Sequence, residues 1–190
     1  IDLFFETNPK AKIVGITGTN GKSTTVSLLY HILTFNKVKC AIGGNFGYPA
    51  CLINDPGNEG VIILELSSYQ LDGIKKLNLD LASIINITPD HIDFHETFEK
   101  YISSKLKIIS CLNINGIFVF KKNYQFLKKI VKSQNNISFK SFEVDKNFSE
   151  SFVNDNDYLK GKHNSINASI AITLAKKLNI NDSQIKLAIK

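Results

Sequence analysis

The amino-acid sequence predicts an α/β fold in which a mainly parallel sheet carries helices on both faces. Short apolar runs alternate along the chain with segments of helical periodicity, which is the pattern of repeated strand-helix-strand units. The runs at residues 61–64 and 81–85 are almost continuously apolar, as expected for central strands that are buried on both faces. A length of 190 residues with 43% hydrophobic residues suits one domain with a substantial core.

The predicted elements follow one another in the order that such a sheet requires. Strands are predicted over residues 12–17, 38–42, 61–66, 81–87, 117–120 and 137–142. Helices are predicted over residues 23–35, 97–110, 123–132 and 164–178, and residues 182–190 also have helical spacing. The polar segment 132–156 is interpreted as a strand flanked by loops. Because ligands in open α/β sheets bind beyond the carboxyl ends of the strands, functional residues are expected at that edge.

The composition argues against several other classes of protein. A net charge of +6 is compatible with a nucleic-acid partner, but all 23 basic residues are Lys and they are scattered, which favours no nucleic-acid partner. Cys40, Cys51 and Cys111 form no C-x-x-C pair, so neither a disulfide framework nor a thiolate zinc site is indicated. We expect them to be small buried residues in a reducing cytoplasm. No apolar segment reaches the roughly 18 residues of a membrane span, and no signal peptide is recognisable, so no membrane partner is expected.

A glycine-containing loop joins the first predicted strand to the first predicted helix. Its sequence, T-G-T-N-G-K-S-T at residues 17–24, predicts a phosphate site, because the backbone N–H groups of such a loop converge on an anion at the positive end of the helix. Lys22 would reach the β- and γ-phosphates and Ser23 would hold Mg²⁺. The remaining nucleotide contacts are assigned to Gly18, Thr19, Asn20, Gly21 and Thr24. The glycine of the strict P-loop pattern would fall at position 16, which is Ile, so the alternative is an ordinary strand-to-helix turn.

Four further motifs occur in a recognisable order along the chain. They are G-G-N-F-G-Y-P at 43–49, E-L-S-S-Y-Q-L at 65–71, N-I-T-P-D-H-I-D at 86–93 and G-K-H-N-S-I-N at 161–167, and the helical stretch 101–108 also fits. Together with T-G-T-N-G-K-S-T, this set resembles the Mur ligase family, which joins amino acids to peptidoglycan precursors. The resemblance implies a P-loop NTPase-like central ATP-binding domain over residues 11–190, without the C-terminal domain. Since the chain contains no Met, residues 1–10 are interpreted as the tail of an N-terminal domain or as a linker.

The forms G-G-N-x-G-x-P and E-L-S-S-Y-Q-L look most like those of the D-glutamate-adding member of the family. They imply a cytoplasmic, monomeric ligase that uses ATP and Mg²⁺ to add D-glutamate to UDP-muramoyl-alanine through an acyl phosphate during peptidoglycan synthesis. Another Mur ligase and a folylpolyglutamate synthase are alternatives within the family. A P-loop switch or partition ATPase is an alternative of a different class, but it leaves Asp90-His91, Lys105 and the motif at 161–167 unexplained.

The metal and catalytic roles rest partly on residue chemistry and partly on the resemblance. Glu65 ends a buried strand and offers the oxygen ligand that Mg²⁺ prefers, although a helix cap or an ion pair is the alternative. In the family pattern His91 contacts a second Mg²⁺ near the acyl substrate. Lys105 matches a lysine that CO₂ carbamylates into an Mg²⁺ ligand, whereas Lys107 points elsewhere on the helix. His91 and His95 form an H-x-x-x-H pair that could indicate zinc, but His95 is interpreted as a solvated or capping residue.

The remaining site residues are also implied by the resemblance. The family positions near the muramoyl-alanine end of the substrate are matched by Asn45, Ser67 and Gln70, whose neutral polar groups can bond carbonyls. Asn164 and Asn167 match the adenine-contacting pair, and an asparagine can also cap a helix. The family usually has Arg where this chain has Lys162, so a bidentate contact at that position is lost. The catalytic set is therefore Lys22, His91 and Lys105.

Overall fold

Six strands form one sheet in which every neighbouring pair is parallel. The structure, a computed structural model, describes residues 1–122, 124–133, 139–144, 149, 152, 159 and 161–190. The strands are β1 Lys12–Thr17, β2 Cys40–Gly44, β3 Val61–Glu65, β4 Leu79–Ile84, β5 Leu112–Lys121 and β6 Lys140–Val144. Their order across the sheet is β2-β3-β1-β4-β5-β6. The predicted α/β class with a mainly parallel sheet is thus confirmed.

Helices cover both faces of this sheet. They are α1 Asp2–Glu6, α2 Lys22–Phe35, α3 Ser68–Gly73, α4 Ile92–His95, α5 Phe98–Ser110, α6 Gln125–Ser133, α7 Lys162–Lys177 and α8 Asp182–Ile189, with a 3-10 turn at Ala50–Leu52. One apolar core lies between the sheet and α2, α7 and α8, and the other lies between the sheet and α1, α3, α5 and α6. Successive side chains of a strand point into opposite cores: Ile62 and Leu64 of β3 face one core, and Ile63 faces the other. A run of adjacent apolar residues is therefore required in each central strand.

The first strand and two long helices agree closely with the prediction, and three short helices were missed. Strand β1 has the predicted bounds, and α2 and α5 differ from theirs by one residue. The helices α1, α3 and α4 have five, six and four residues, which is too short for helical periodicity to be visible. Strand β5 begins at Leu112 rather than at 117, because an irregular pairing with β4 extends it through polar residues. Residue 123 and most of the segment 132–156 lie outside the described residues, as does part of the strand predicted at 137–142.

Helix α1 packs on the core, and the cysteines differ in their exposure. Helix α1 buries Phe4 and Phe5 in the core beneath the sheet, and the assignment of residues 1–10 to a preceding domain or linker stays a prediction. Cys111 is buried as expected, but the expectation is wrong for Cys51, which is exposed. In the described part of the chain, none of the helices has the length and hydropathy of a membrane span.

The strand order places three chain segments side by side at the carboxyl edge of the sheet. The central strand β1 ends at Thr17 and continues into the P-loop, which is residues 17–24. Its neighbour β3 ends at Glu65, and its other neighbour β4 ends just before Asn86. The predicted phosphate loop therefore leaves the sheet between the two motifs that were expected to accompany it.

Candidate active site

The P-loop has a backbone shape that only glycine accommodates easily at one position. Gly21 precedes α2 with φ at 83°, in the left-handed region. A Cβ atom at this position would lie 2.3 Å from Oδ1 of Asn167, which is buried on α7. Gly21 is thus needed both for the turn and for the close approach of α7. This contact also brings the G-K-H-N-S-I-N motif against the P-loop, as the shared nucleotide role predicts.

Lys22 folds back over its own loop. Its Nζ donates hydrogen bonds to the carbonyl oxygens of Gly18 at 2.9 Å and Thr19 at 2.8 Å. Burial lowers the pKa of Lys22, while the nearby carboxylates of Glu65 and Asp90 act in the opposite direction. The ammonium group therefore lies above the loop, where a bound phosphate would compete with the two carbonyls for it.

Glu65 forms hydrogen bonds with two other residues that the sequence predicted for the site. Its carboxylate is 1% exposed; Oε2 accepts a hydrogen bond from Ser23 Oγ at 2.8 Å and Oε1 accepts one from Asn45 Nδ2 at 2.8 Å. Two oxygen atoms from Ser23 and Glu65 thus lie side by side, which suits a hard cation that takes its other ligands from phosphate and water. Across the described residues, His, Cys, Asp and Glu form no group of three or more that could hold a metal alone. This donor set fits Mg²⁺ shared with phosphate.

Asn86, which follows β4, and Tyr101 on α5 bond the P-loop from the other side. Asn86 forms a reciprocal pair with Asn20: its Oδ1 accepts from the Asn20 N–H at 2.9 Å and its Nδ2 donates to the Asn20 carbonyl at 2.8 Å. The Thr19 hydroxyl lies 2.9 Å from the Tyr101 hydroxyl and 3.0 Å from the backbone nitrogen of Thr88, which donates to it. Asn86 and Tyr101 were not singled out from the sequence, although both occur in quoted motif segments. Tyr101 also precedes Lys105 by one helical turn, a spacing that could have marked it.

Lys105 is buried directly behind the P-loop. It is 1% exposed, its Nζ donates to the carbonyl of Gly18 at 3.0 Å, and it lies 4.7 Å from the centre of the Tyr101 ring. Burial, with the positive charge of Lys22 as a second cause, lowers the pKa of Lys105 to about 7, and Asp90 acts against this shift. Lys107 instead bonds Asp72 on the surface at 2.7 Å, so it points away from the site as predicted.

The two histidines of the D-H-I-D-F-H segment have different surroundings. His91 adopts a left-handed φ of 51°, is half exposed, and packs its ring 5.0 Å from that of Tyr69. His95 is 4% exposed, so the interpretation of it as a solvated or capping residue is wrong. Its side chain is turned inward between α3 and α5, where Ser68 and Ser104 provide hydroxyl partners. Burial lowers the pKa of His95.

The other predicted substrate and adenine residues also lie at this edge. Ser67 caps α3, and its hydroxyl and Gln70 form a reciprocal capping box. Asn164 is half-buried in the first turn of α7 and Asn167 lies against Gly21. The side chain of Lys162 lies outside the described residues. The ligand contacts of these residues stay predictions.

The sequence is similar to one protein family and to relatives that share one name. The profile of the Mur ligase middle domain matches residues 16–175. The UDP-N-acetylmuramoylalanine--D-glutamate ligase of Rickettsia prowazekii (strain Madrid E) is 35% identical over 203 residues, which cover 97% of this chain and 45% of that protein. The protein of the same name from Zymomonas mobilis subsp. mobilis is 36% identical over 180 residues, covering 95% and 40%. The chain thus spans less than half the length of these curated relatives.

Solved structures show the same fold at lower sequence identity. MurF from Acinetobacter baumannii superposes with a TM-score of 0.72 and 17% identity, covering 98% of this chain and 47% of that chain. The MurF ligase from Thermotoga maritima, whose structure is a complex with ADP, has a TM-score of 0.70 and 20% identity, covering 96% and 49%. At these identities the similarity is one of fold.

Proposed function

Because the chain belongs to the Mur ligase family, we propose that it is the ATP-binding central domain of a ligase that adds D-glutamate to UDP-N-acetylmuramoyl-L-alanine. Residues 11–190 form this domain, and residues 1–10 connect it to a preceding one. Relatives named for this activity match almost the whole chain, which supports the choice of D-glutamate over other amino acids. The reaction serves peptidoglycan synthesis in the cytoplasm, and the enzyme acts as a monomer on small-molecule substrates.

The observation that carries the proposal is the position of the Glu65 carboxylate. It bonds Ser23 of the P-loop and Asn45 of the G-G-N motif at once, so the phosphate-binding and substrate-binding motifs share one buried anion. A simple helix cap or surface ion pair would not require this burial. Glu65 and Ser23 would hold Mg²⁺, which offsets negative charge on the transferred phosphate.

The proposed reaction uses the residues of the chain chiefly to position and neutralise charge. The substrate carboxylate attacks the γ-phosphate of ATP, ADP leaves, and the amine of D-glutamate then displaces phosphate from the acyl phosphate. Lys22 and the N-terminus of α2 bind the phosphate oxygens, on which negative charge accumulates. Gly18, Thr19, Asn20, Gly21 and Thr24 complete the phosphate contacts, and Asn164 and Asn167 bind adenine. His91 lies on the acyl-substrate side and would contribute to a second Mg²⁺ site there.

Lys105 is proposed to be carbamylated. Its neutral amine adds to the carbon of CO₂, a C–N bond forms, and one proton is released to give a carboxylate-like group. Two observations support this step: Lys105 is buried, and its ammonium shares the Gly18 carbonyl with that of Lys22. Carbamylation replaces the repulsion between the two cations with an attraction, and it supplies an oxygen ligand for Mg²⁺. The pKa of about 7 leaves a large neutral fraction available near pH 7.

The residues proposed to bind the substrate are held in place by hydrogen bonds to other side chains. Asn45, Ser67 and Gln70 offer neutral amide and hydroxyl groups to the muramoyl-alanine end. In the structure these groups bond Glu65 or one another, which keeps them oriented before a substrate binds. Their rearrangement on binding would exchange one set of hydrogen bonds for another.

The experiment that tests the proposal is an amino-acid selectivity assay with the full-length ligase. The protein is incubated with ATP, Mg²⁺ and UDP-N-acetylmuramoyl-L-alanine, and D-glutamate is compared with L-lysine, diaminopimelate and D-alanyl-D-alanine. Product with D-glutamate alone is expected, and the Lys22→Ala variant is the control without phosphate transfer. Product with another amino acid, or with a folate acceptor, would assign the chain to a different member of the family. The 190-residue chain alone is expected to bind ATP but to form no ligated product, because the amino-acid site is proposed to lie on a further domain.

A further inference from the structure

Both ring nitrogens of His95 are occupied by hydroxyl groups from two different helices. Nε2 lies 3.0 Å from Ser68 Oγ on α3, and Nδ1 lies 3.4 Å from Ser104 Oγ on α5. His95 itself ends α4, so one buried side chain contacts three helices at the carboxyl edge of the sheet. Neither the P-loop chemistry nor the proposed ligand contacts use this residue.

The partners of Ser104 determine the direction of these hydrogen bonds. The Ser104 hydroxyl lies 3.1 Å from Asp72 Oδ1 and 3.0 Å from the Lys100 carbonyl, and both of these oxygens can only accept. The single hydroxyl hydrogen is therefore directed to one of them, which leaves a lone pair of Ser104 facing His95. Nδ1 of His95 must then carry the hydrogen, and Nε2 must accept one from Ser68.

We propose that His95 is a positioning residue which, as the Nδ1–H tautomer, holds the turn of α4 against both α3 and α5 through a directed chain of hydrogen bonds. The chain runs from Ser68 through His95 and Ser104 to Asp72. At the end of this series of hydrogen bonds, the Lys107 ammonium on the protein surface donates to Asp72 Oδ1 at 2.7 Å. This inference rests on the proposed function, because it assigns His95 a part in that reaction.

The connected helices carry residues from both halves of the proposed site. Ser68 directly follows Ser67, the capping residue of α3 in the substrate motif. Ser104 directly precedes the buried Lys105 on α5. Helix α4 is a single turn, with left-handed backbone at His91 before it and at Glu96 after it, so its own hydrogen bonds hold it weakly. The inward His95 is the buried residue of this helix, and it fixes the turn that carries His91.

The proposal is tested by two substitutions of His95, each of which keeps one of its two hydrogen bonds and loses the other. An asparagine amide can place its nitrogen near the position of Nδ1, so His95→Asn keeps the donor to Ser104 and loses Ser68. A glutamine amide reaches the position of Nε2, so His95→Gln keeps an acceptor for Ser68 and loses Ser104. In the full-length ligase we expect His95→Asn to raise KM for the UDP-precursor about five- to tenfold with kcat nearly unchanged. We expect His95→Gln to lower kcat by a similar factor with KM nearly unchanged.

Single-hydroxyl variants provide the matched control. Ser68→Ala should reproduce the KM effect of His95→Asn, and Ser104→Ala should reproduce the kcat effect of His95→Gln, even where a histidine variant folds poorly. His95→Phe keeps the packing, loses both links and should show both effects. Equal changes in KM and kcat in all variants, or no change in any, would overturn the positioning role.

The tautomer gives a readout that needs no ligase activity. The ¹⁵N spectrum of the imidazole rings in the 190-residue chain, which contains four histidines, is assigned by the signal lost in His95→Asn. A protonated Nδ1 and an unprotonated Nε2 are expected for His95, and the reverse would refute the directed chain. If the full-length ligase uses another amino acid, the proposed function fails while this spectrum still decides the tautomer.

Discussion

The phosphate side of the candidate site, formed by the P-loop, Glu65 and Asn86, is tied together more closely than the part proposed to bind the acyl substrate, formed by α3 and α4 and called the acyl-substrate side below. On the phosphate side, Ser23 and Asn20 bond side chains from the ends of β3 and β4, the two strands that flank β1. On the acyl-substrate side, the single turn of α4 exposes Phe94 and Ile92. There the inward contact of the turn is made by His95.

This difference matches what each side has to recognise. Phosphate recognition depends on N–H groups and charges that are already oriented, and a loop fixed by the sheet provides this without reorganisation. A large substrate must enter and leave, and a short helix with exposed aromatic residues can adjust to it. The prediction is that substitutions on the phosphate side affect nucleotide chemistry strongly, whereas those on the acyl-substrate side shift kinetic parameters moderately.

The largest effect is expected for Lys22→Ala in the full-length ligase. Lys22 is the P-loop cation proposed to bind the transferred phosphate, and the loss of one such charge contact should slow phosphate release about 10²-fold or more. The rate is measured with all substrates present. Retention of more than about a tenth of the wild-type rate would contradict the P-loop assignment.

The second prediction concerns Lys105→Ala, which removes the group proposed to be carbamylated. We expect a loss of activity on the order of 10- to 100-fold, with partial recovery on addition of acetate, because a small carboxylate can occupy the space and replace the oxygen ligand. Lys128→Ala is the matched control, since this lysine on α6 pairs with Glu143 and has no proposed part in the site. Full activity of Lys105→Ala without any additive would exclude the carbamate.

The third prediction uses the pKa of Lys105 to test its burial independently of catalysis. Burial lowers the pKa of Lys105 to about 7 in the folded chain, whereas in the unfolded chain its pKa has the ordinary value of 10.5. The unfolded state thus binds more protons between these values, and the free energy of unfolding should rise with pH by about 2 kcal/mol from pH 7 to 9. Denaturant unfolding of the 190-residue chain in CO₂-free buffer measures this rise. Lys105→Met should lack it; equal pH dependence in both proteins would show that Lys105 is not buried as an amine.

The fourth and smallest effect separates backbone strain from close packing in the P-loop. Gly21→Ala combines a left-handed φ with the approach of Asn167, and we expect about tenfold weaker ATP binding. Gly57→Ala has a similar left-handed φ with open space around it, and Gly73→Ala has neither feature. Neither control should alter ATP binding. An unchanged affinity in Gly21→Ala would show that the loop is less constrained than its contacts suggest.

The sequence was sufficient for the P-loop itself and insufficient for the distant residues that bond it and for the burial of His95, for a physical reason. The P-loop and β1 depend on neighbouring residues, so their pattern is visible locally. The roles of Tyr101 and His95 depend on partners that the fold brings from far along the chain: Thr19 is 82 residues from Tyr101, and Ser68 is 27 residues from His95. A pattern of polar residues shows that they exist but not which of them will be buried. His95 was misjudged for that reason, since a short α4 gives no periodicity by which to place it.

The most direct test of the central claim is a calorimetric titration of the 190-residue chain with ATP, with and without Mg²⁺. The claim is that the carboxyl edge of the sheet holds a preassembled Mg²⁺-ATP site in which Glu65 and Ser23 bind the metal. We predict one ATP per chain, with an affinity that rises on addition of Mg²⁺. Glu65→Gln, which keeps the size of the side chain, should abolish that rise. Absence of ATP binding, or an equal rise with Mg²⁺ in Glu65→Gln, would contradict the claim.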